Sequence, residues 1–456
     1  MAHVTITSVL RIDGATPPEE HSIHEALTHP NPAYFLKKRM GLFVGNVPKE
    51  ISTYRKKDEG ALICSRGDYQ TVIGCLQDPI IQDNTNAGES CDLPYLNNDF
   101  SLDIFQVKAL EAIQKKKQGI VHAETSSGKT AIIAKTISDK GVKTVICTNR
   151  KILLSQIEGD LRAWLPTATI QSITASSRLS KADIFLVTDQ SLKRILERDK
   201  EAFKQIGMII FDECHISSAP TVQFIVNCMP CKYRYGFSGT LKRKDKMDFL
   251  ISSSFGQVIA RTTKEDLLGL NRISDVIPLI HRIETDIYED VDDLNSRDRW
   301  TKINIALHKS SERMRKIVKF IEIILAQDPK HKVFILSRFT EPSYVMSNLL
   351  KEPSGVITGK ETKEHSNDLL EKMRDSSVRA IFGTISCLST GISISDLTHI
   401  ILASPVGDNE LLIKQIRGRL MRKAEGKEKG IFVYINDVNI FGDMPEKRFK
   451  KIVESE

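Results

Sequence analysis

Aromatic residues are scarce in this sequence, at 6% of 456 positions with two tryptophans, so its cores must be built mainly from aliphatic side chains. Cysteine is thin as well. Cys64, Cys75, Cys91, Cys147, Cys214, Cys228, Cys231 and Cys387 are scattered too widely for a disulfide scaffold. Cys228-Met-Pro-Cys231 is a lone C-x-x-C. Without a second cysteine or histidine pair at zinc-site spacing, it is expected to be two unrelated thiols. Long apolar runs are missing. The stretch Ile317 to Ala326 is interrupted and falls short of the roughly 20 residues of a membrane span, so no membrane partner is expected. No leader pattern is seen, since Met1-Ala2-His3-Val4-Thr5 runs straight into alternation, and a cytoplasmic location is expected. Neither sign of charge dominates. The 65 basic and 58 acidic residues leave +7, which permits a nucleic-acid partner without demanding one. Hydrophobic residues at 41% and charged residues at 27% exclude disordered and collagen-like classes. The length suggests two to four domains.

What is present is unevenly distributed. Residues 1–100 carry nine basic and thirteen acidic residues, a net of −4, and the remainder carries +11. The first hundred are rich in turn signals, with short β-like runs such as Val4 to Val9 and Ala61 to Cys64 between them. A small α+β domain over 1–97 is predicted. From Phe100, aliphatic runs (Gly119 to His122, Thr144 to Cys147, Ile184 to Val187, Met208 to Phe211) alternate with amphipathic helical segments. That alternation marks a parallel sheet with crossover helices. It fades over 241–300, read as an irregular connector. It resumes with a helix over Ile303 to Ala326 and continues to a strand at Gly430 to Ile435. Two α/β domains in tandem are expected, over 98–265 and 266–456.

Ala123-Glu124-Thr125-Ser126-Ser127-Gly128-Lys129-Thr130 follows an apolar strand and opens a helix. It fits G-x-x-x-x-G-K-[ST] with Ala123 in place of the first glycine. Such a loop wraps backbone N–H groups around phosphates at a helix N-terminus. Lys129 faces the β/γ-phosphates, and the Thr130 hydroxyl suits Mg²⁺. Further on, Gly207 to Phe211 ends in Asp212-Glu213-Cys214-His215. A carboxylate at that strand end can hold Mg²⁺ through water, and the next can activate a water. ATP and Mg²⁺ are the expected ligands.

The ordered motifs resemble those of superfamily 2 helicases over roughly residues 100–435. Asp-Glu-Cys-His resembles the D-E-x-H box. Ser101 to Gln106 resembles the adenine-reading segment, and Phe237-Ser238-Gly239-Thr240 the coupling element. Thr148 to Lys151 and Val187 to Leu192 resemble motifs Ia and Ib, and Thr384 to Ser393 resembles motif V. Gln415 to Arg422 matches Q-x-x-G-R-x-x-R. Within the superfamily the resemblance is to phage UvsW-type recombination helicases and their XPB-like relatives. It rests on Gly236 to Thr240 and Ser389 to Ser393, and more loosely on Leu27 to Pro32 and Ser65-Arg66-Gly67.

The resemblance implies two tandem RecA-like parallel-sheet motor domains behind a small N-terminal α+β accessory domain. It also implies an ATP hydrolase that unwinds or branch-migrates forked and Holliday-type DNA in phage-type replication, recombination or repair. Catalysis then falls to Lys129, Asp212, Glu213, Gln415, Arg419 and Arg422. Nucleotide binding falls to Phe105, Gln106, Thr125, Ser126, Ser127, Gly128, Lys129, Thr130 and Gly391. Metal binding falls to Thr130 and Asp212, and coupling to His215, Ser238 and Thr240. Arg150, Thr188, Gln190, Arg338, Thr358 and Thr384 are the candidate contacts to forked, branched or single-stranded DNA. Helical spacing puts Gln415, Arg419 and Arg422 on one stripe of a helix over Leu411 to Lys423, beside an apolar stripe of Leu412, Ile416 and Leu420. A monomer is expected. An RNA helicase, a restriction-complex motor subunit and a non-enzymatic ATP switch are the alternatives. The first is disfavoured by the D-E-C-H box and motif VI, and the last by the complete set of catalytic side chains.

Overall fold

Four aliphatic runs rich in valine and isoleucine form the spine of the first α/β sheet, because both faces of each strand must be buried under helices. The computed structural model describes all residues except 96–101, 125–126, 216–218, 242–245, 271, 288–295, 389–395, 406–409, 425–426 and 455–456. The chain divides into two compact units, Met1–Thr263 and Lys264–Glu456.

In the first unit a seven-stranded parallel sheet runs Ile170–Ile173, Ile184–Thr188, Thr144–Thr148, Met208–Asp212, Tyr233–Ser238, Gln118–Ala123, Val258–Thr262. Alternate residues feed two aliphatic cores. Val121, Ile146, Leu186 and Ile210 face one side, and Ile120, Val145, Val187 and Phe211 the other. Ahead of it stands a five-stranded sheet ordered Tyr54–Lys56, Leu62–Ser65, Val9–Asp13, His3–Ile6, Ile80–Asp83, antiparallel except for its last pair. A two-stranded ribbon pairs Thr28–Pro30 with Glu50–Ser52. The run Val4 to Val9, expected as one strand, is a hairpin corner: the chain turns at Thr7-Ser8, where Thr7 N donates to Val9 O at 2.8 Å.

The second unit holds a six-stranded parallel sheet: Asp275–Ile283, Lys429–Asp437, His399–Leu402, Val333–Ser337, Ala380–Thr384, Ser354–Ile357. The irregular connector expected over 241–300 is corrected here. Val258–Thr262 closes the edge of the first sheet and Asp275–Ile283 the edge of the second. Edge strands bury one face only, so they lack the continuous apolar run of a central strand. The helix expected over Ile303 to Ala326 is two, Ser296–Lys309 and Ser311–Gln327, because the Ser310 side chain accepts from Arg313 N and starts a new helix.

Candidate functional site

The phosphate-loop segment runs from the strand Gln118–Ala123 to the helix Lys129–Lys140. Ala123 ends the strand fully buried, so the motif's first glycine is replaced where no left-handed backbone is needed. Gly128 does need one, with φ +71°. A Cβ there would also stand 2.6 Å from Gln106 Nε2. Gln106 is buried and clamps the loop: its Nε2 donates to Ser127 O at 3.0 Å, and its Oε1 accepts from Asp103 N at 2.9 Å. Phe105 beside it is buried. Thr125 and Ser126 lie outside the described residues.

One strand separates this loop from the acidic box. In register, Asp212 lies level with Phe237, which lies level with Val121. All these strands are parallel, so loop, box and coupling element emerge on one sheet edge. Glu213 leaves the strand at φ +52°, a left-handed conformation costly for a side chain of this kind. It delivers Glu213 Oε1 to 2.7 Å from Lys129 Nζ. Burial alone would lower the Lys129 pKa, but the charges of Glu213 and Asp212 outweigh it and raise it. Burial pushes Glu213 up, but Lys129 and His215 outweigh it and hold it low. Burial and the neighbouring Glu213 charge push Asp212 up to about 6. His215 is buried. Its Nδ1 lies 3.4 Å from Glu213 Oε2 and 2.6 Å from Ser238 Oγ. Ser238 Oγ accepts from Thr240 N at 3.2 Å and donates to Thr240 O. A continuous polar chain therefore runs Lys129, Glu213, His215, Ser238, Thr240.

The buried oxygens at this edge that make no hydrogen bond among the described residues include Asp212 Oδ1, Ser127 Oγ and Thr240 Oγ1. Buried polar atoms are rarely left so. A polyphosphate with a hydrated cation would satisfy them, and Thr130, half-buried at the second helical position, is an oxygen donor of the right kind.

The candidate nucleic-acid residues fall on the same edges. Thr148 and Thr188 end adjacent strands in direct register, with Arg150 and Gln190 opening the helices that follow. The Thr188 hydroxyl caps its helix, accepting from Ser191 N, while Gln190 is exposed. In the second unit Arg338, Thr358 and Thr384 sit at the C-terminal ends of three neighbouring strands. Arg338 is exposed, but its backbone N donates to Ser404 Oγ at 2.8 Å. The Thr358 hydroxyl donates to Glu361 at 2.6 Å, and that of Thr384 pairs with Ser386 at 2.9 Å. Gly391 lies outside the described residues. The helix Glu410–Leu420 carries Gln415 and Arg419, both half-buried, over an apolar side of Ile413, Ile416 and Leu420. The single stripe is thereby corrected. Arg422 lies past the helix end, in a bridge with Ile273, and Ile413 is buried with Ile416 and Leu420 while Leu412 is half-buried.

Residues 99–243 match the family described as "Type III restriction enzyme, res subunit", and residues 313–424 match "Helicase conserved C-terminal domain". The chain is similar to the DNA 3'-5' translocase XPB2 of Sulfurisphaera tokodaii, at 24% identity over 78% of this chain and 87% of that one. It is similar to the ATP-dependent DNA helicase uvsW of Enterobacteria phage T4, at 21% identity over 51% of this chain and 46% of that one. The chain belongs to the superfamily 2 helicases. A solved ATP-dependent Type ISP restriction-modification enzyme, LlaBIII, shares the fold at 18% identity and TM-score 0.58, over 78% of this helicase and 30% of that chain.

The helicase has tandem RecA-like sheets, and no helix among the described residues is long and apolar enough to cross a membrane. Two supports of the site escaped sequence reasoning. His308, buried in the second unit, reaches Ser404 Oγ at 2.6 Å, the same oxygen that holds the Arg338 backbone. Nothing in the local pattern distinguishes His308 from a solvent-facing helix residue. Arg234, fully buried in the first unit, is the other. An arginine within the apolar run Tyr233 to Ser238 was the available signal.

Proposed function

We propose that this helicase hydrolyses ATP to translocate on DNA and to unwind or branch-migrate forked and four-way junctions. The observation that carries the motor chemistry is the Lys129–Glu213–His215–Ser238–Thr240 chain. It joins a phosphate-binding lysine to a carboxylate base and then to the coupling element. Glu213 serves as the base that orients and deprotonates the attacking water. Entering phosphates compete with Glu213 for Lys129, which frees the carboxylate for that water. Thr130 and Asp212 would hold Mg²⁺, which when bound neutralises phosphate charge. Ser127 and Gly128 cradle the phosphates by backbone N–H groups, with Thr125 and Ser126 in the same loop. Phe105, Gln106 and Gly391 are assigned to the nucleotide, and Gln415, Arg419 and Arg422 to the charge that develops on the γ-phosphate. Arg150, Thr188, Gln190, Arg338, Thr358 and Thr384 are assigned to the DNA backbone, where such contacts position a strand without reading sequence. The relatives named for DNA, XPB2 and uvsW, support a DNA substrate.

ATP turnover measured with single-stranded, duplex, forked and four-way DNA, and with RNA, tests the reading. Stimulation by DNA, strongest with branched forms, is expected. Stimulation by RNA alone would overturn the substrate. Glu213→Gln is expected to lower turnover at least 100-fold, and wild-type turnover by that variant would overturn the mechanism. The match of residues 99–243 favours one second reading, the motor of a restriction complex. Inert behaviour on all DNA until partner subunits are added would support it instead.

A further inference from the structure

The segment 31–49 plays no part in the ATP chemistry described above, yet it is built and anchored. Asn31, buried, closes its base: its N donates to Lys49 O at 2.9 Å, its Nδ2 to Pro48 O at 2.7 Å, and its Oδ1 caps the helix Pro32–Arg39. Beyond the helix the chain turns through Gly41 and Gly45, with φ of +66° and +36°. Between them Phe43 is 89% exposed. Phe35, Leu36, Met40 and Leu42 around it are also exposed. A chain this poor in aromatics does not leave so large an apolar tip in water without use. The tip is shaped as well. The Phe43 ring lies over Gly45, where a Cβ would come to 2.6 Å of it.

Charge points to the partner. Residues 31–49 contain Lys37, Lys38, Arg39 and Lys49 and no acidic residue, while the other residues of the first hundred sum to −8. Lys38, Arg39 and Lys49 form no ion pair among the described residues. The excursion is a basic island on a domain that is acidic overall, so a polyanion is drawn to it.

Position points the same way. The accessory sheet is fixed to the first motor sheet through Arg66, which donates to Gln118 Oε1 at 2.7 Å and Cys231 O at 2.6 Å, and through Asp68, which accepts from Ser253 Oγ at 2.6 Å. From there the ribbon at the base of the excursion reaches Phe249, on whose ring His29 stacks at 4.1 Å. Phe249 opens the helix Phe249–Phe255, between two parallel strands. Such a helix runs antiparallel to its strands, so Phe249 lies toward the edge that carries the ATP loop and Thr148 and Thr188.

We propose that Phe43 is a base-stacking wedge, held on the first motor unit, that enters a DNA junction where paired strands part, while Lys37, Lys38, Arg39 and Lys49 hold the flanking phosphates. This rests on the DNA reading of the motor. Aromatic–base stacking is sequence-tolerant and sufficient to favour one opened step at the fork. The full-length protein, Phe43→Ala and Phe43→Trp are compared for unwinding of a fork carrying 2-aminopurine at its junction, and for ATP turnover on single-stranded DNA. Phe43→Ala is expected to slow fork unwinding about tenfold or more and to abolish the junction fluorescence change. Turnover on single strands should stay within about twofold, and Phe43→Trp should restore unwinding. Unchanged fork unwinding by Phe43→Ala overturns the wedge alone. So does an equal loss on single strands, or a change confined to self-association by light scattering. A wild-type protein that no DNA stimulates overturns the motor reading and the wedge together.

Discussion

At the scale of single residues, the site holds a strained, charged arrangement in place. Glu213 sits in a left-handed conformation and pairs with Lys129 at 2.7 Å, both with little exposure. A backbone of that kind costs about 1 kcal/mol and persists only where surrounding contacts over-determine it. Here Cys214 N donates to Phe237 O at 3.0 Å on one side, and His215 is fixed to Ser238 on the other. Among the described residues Ser238 shares no hydrogen bond with Lys129 or Glu213 but carries the link between His215 and Thr240. Ser238→Ala should therefore separate two activities. ATP turnover on single-stranded DNA is expected within about threefold of wild type, and strand separation is expected to fall at least tenfold. Parallel loss of both would show that the hydroxyl serves the chemistry and not its coupling.

At the scale of elements, the joint between the accessory sheet and the first motor sheet is a set of buried polar contacts with almost no clearance. Arg66 serves Thr7 O, Gln118, Cys231 O and Lys232 O, and Arg234 serves Ser8 O, Val226 O and Ser254 O. A Cβ on Gly67 would stand 2.2 Å from Ser253 O. Gly67→Ala must move backbone against backbone and is expected to cost about 1–3 kcal/mol in chemical denaturation. Arg66→Met strands several buried carbonyls and is expected to cost about 3 kcal/mol, with Arg66→Lys recovering part of it. Unchanged midpoints would mean that the two sheets are joined elsewhere. Little of this joint was legible beforehand. Ser65-Arg66-Gly67 stood out as a motif, but its partners lie 52 to 166 positions away along the chain. The central strands were legible because burial on both faces leaves a continuous aliphatic run, as at Met208 to Phe211. The edge strands Val258–Thr262 and Asp275–Ile283 were not, since each alternates or carries charge and the second contains Pro278. The phosphate loop and acidic box were legible because ATP chemistry fixes both residue type and spacing. The hydroxyls of Thr188 and Thr358 show the converse. Their residue type suits both a backbone phosphate and an intramolecular cap, and each makes a cap or loop bond here.

At the scale of the whole molecule, the +7 net charge averages over a basic motor, an acidic accessory domain and a basic island within it, so composition alone understated how the charge is organised. The second unit should also respond to acid. In it, burial pushes His308 and His399 down to about 4. Both are nearly inaccessible, His308 between Asn304 O and Ser404 and His399 in a central strand. Above pH 6.5 these rings are neutral whether folded or unfolded and add no pH dependence. As the pH falls from 6.5 toward 4, the unfolded chain binds protons that the folded chain refuses, and stability drops by up to about 3 kcal/mol for each histidine. Below 4 both states are protonated and the drop ends. The second unit should therefore melt progressively earlier across this window. His308→Gln, which keeps a group able to bond Ser404, should remove about half of that dependence whatever its effect at neutral pH, the His399 share remaining. Scanning calorimetry from pH 7 to 4 on the two full-length proteins measures it, and parallel curves for wild type and His308→Gln would show that the acid response belongs to other groups.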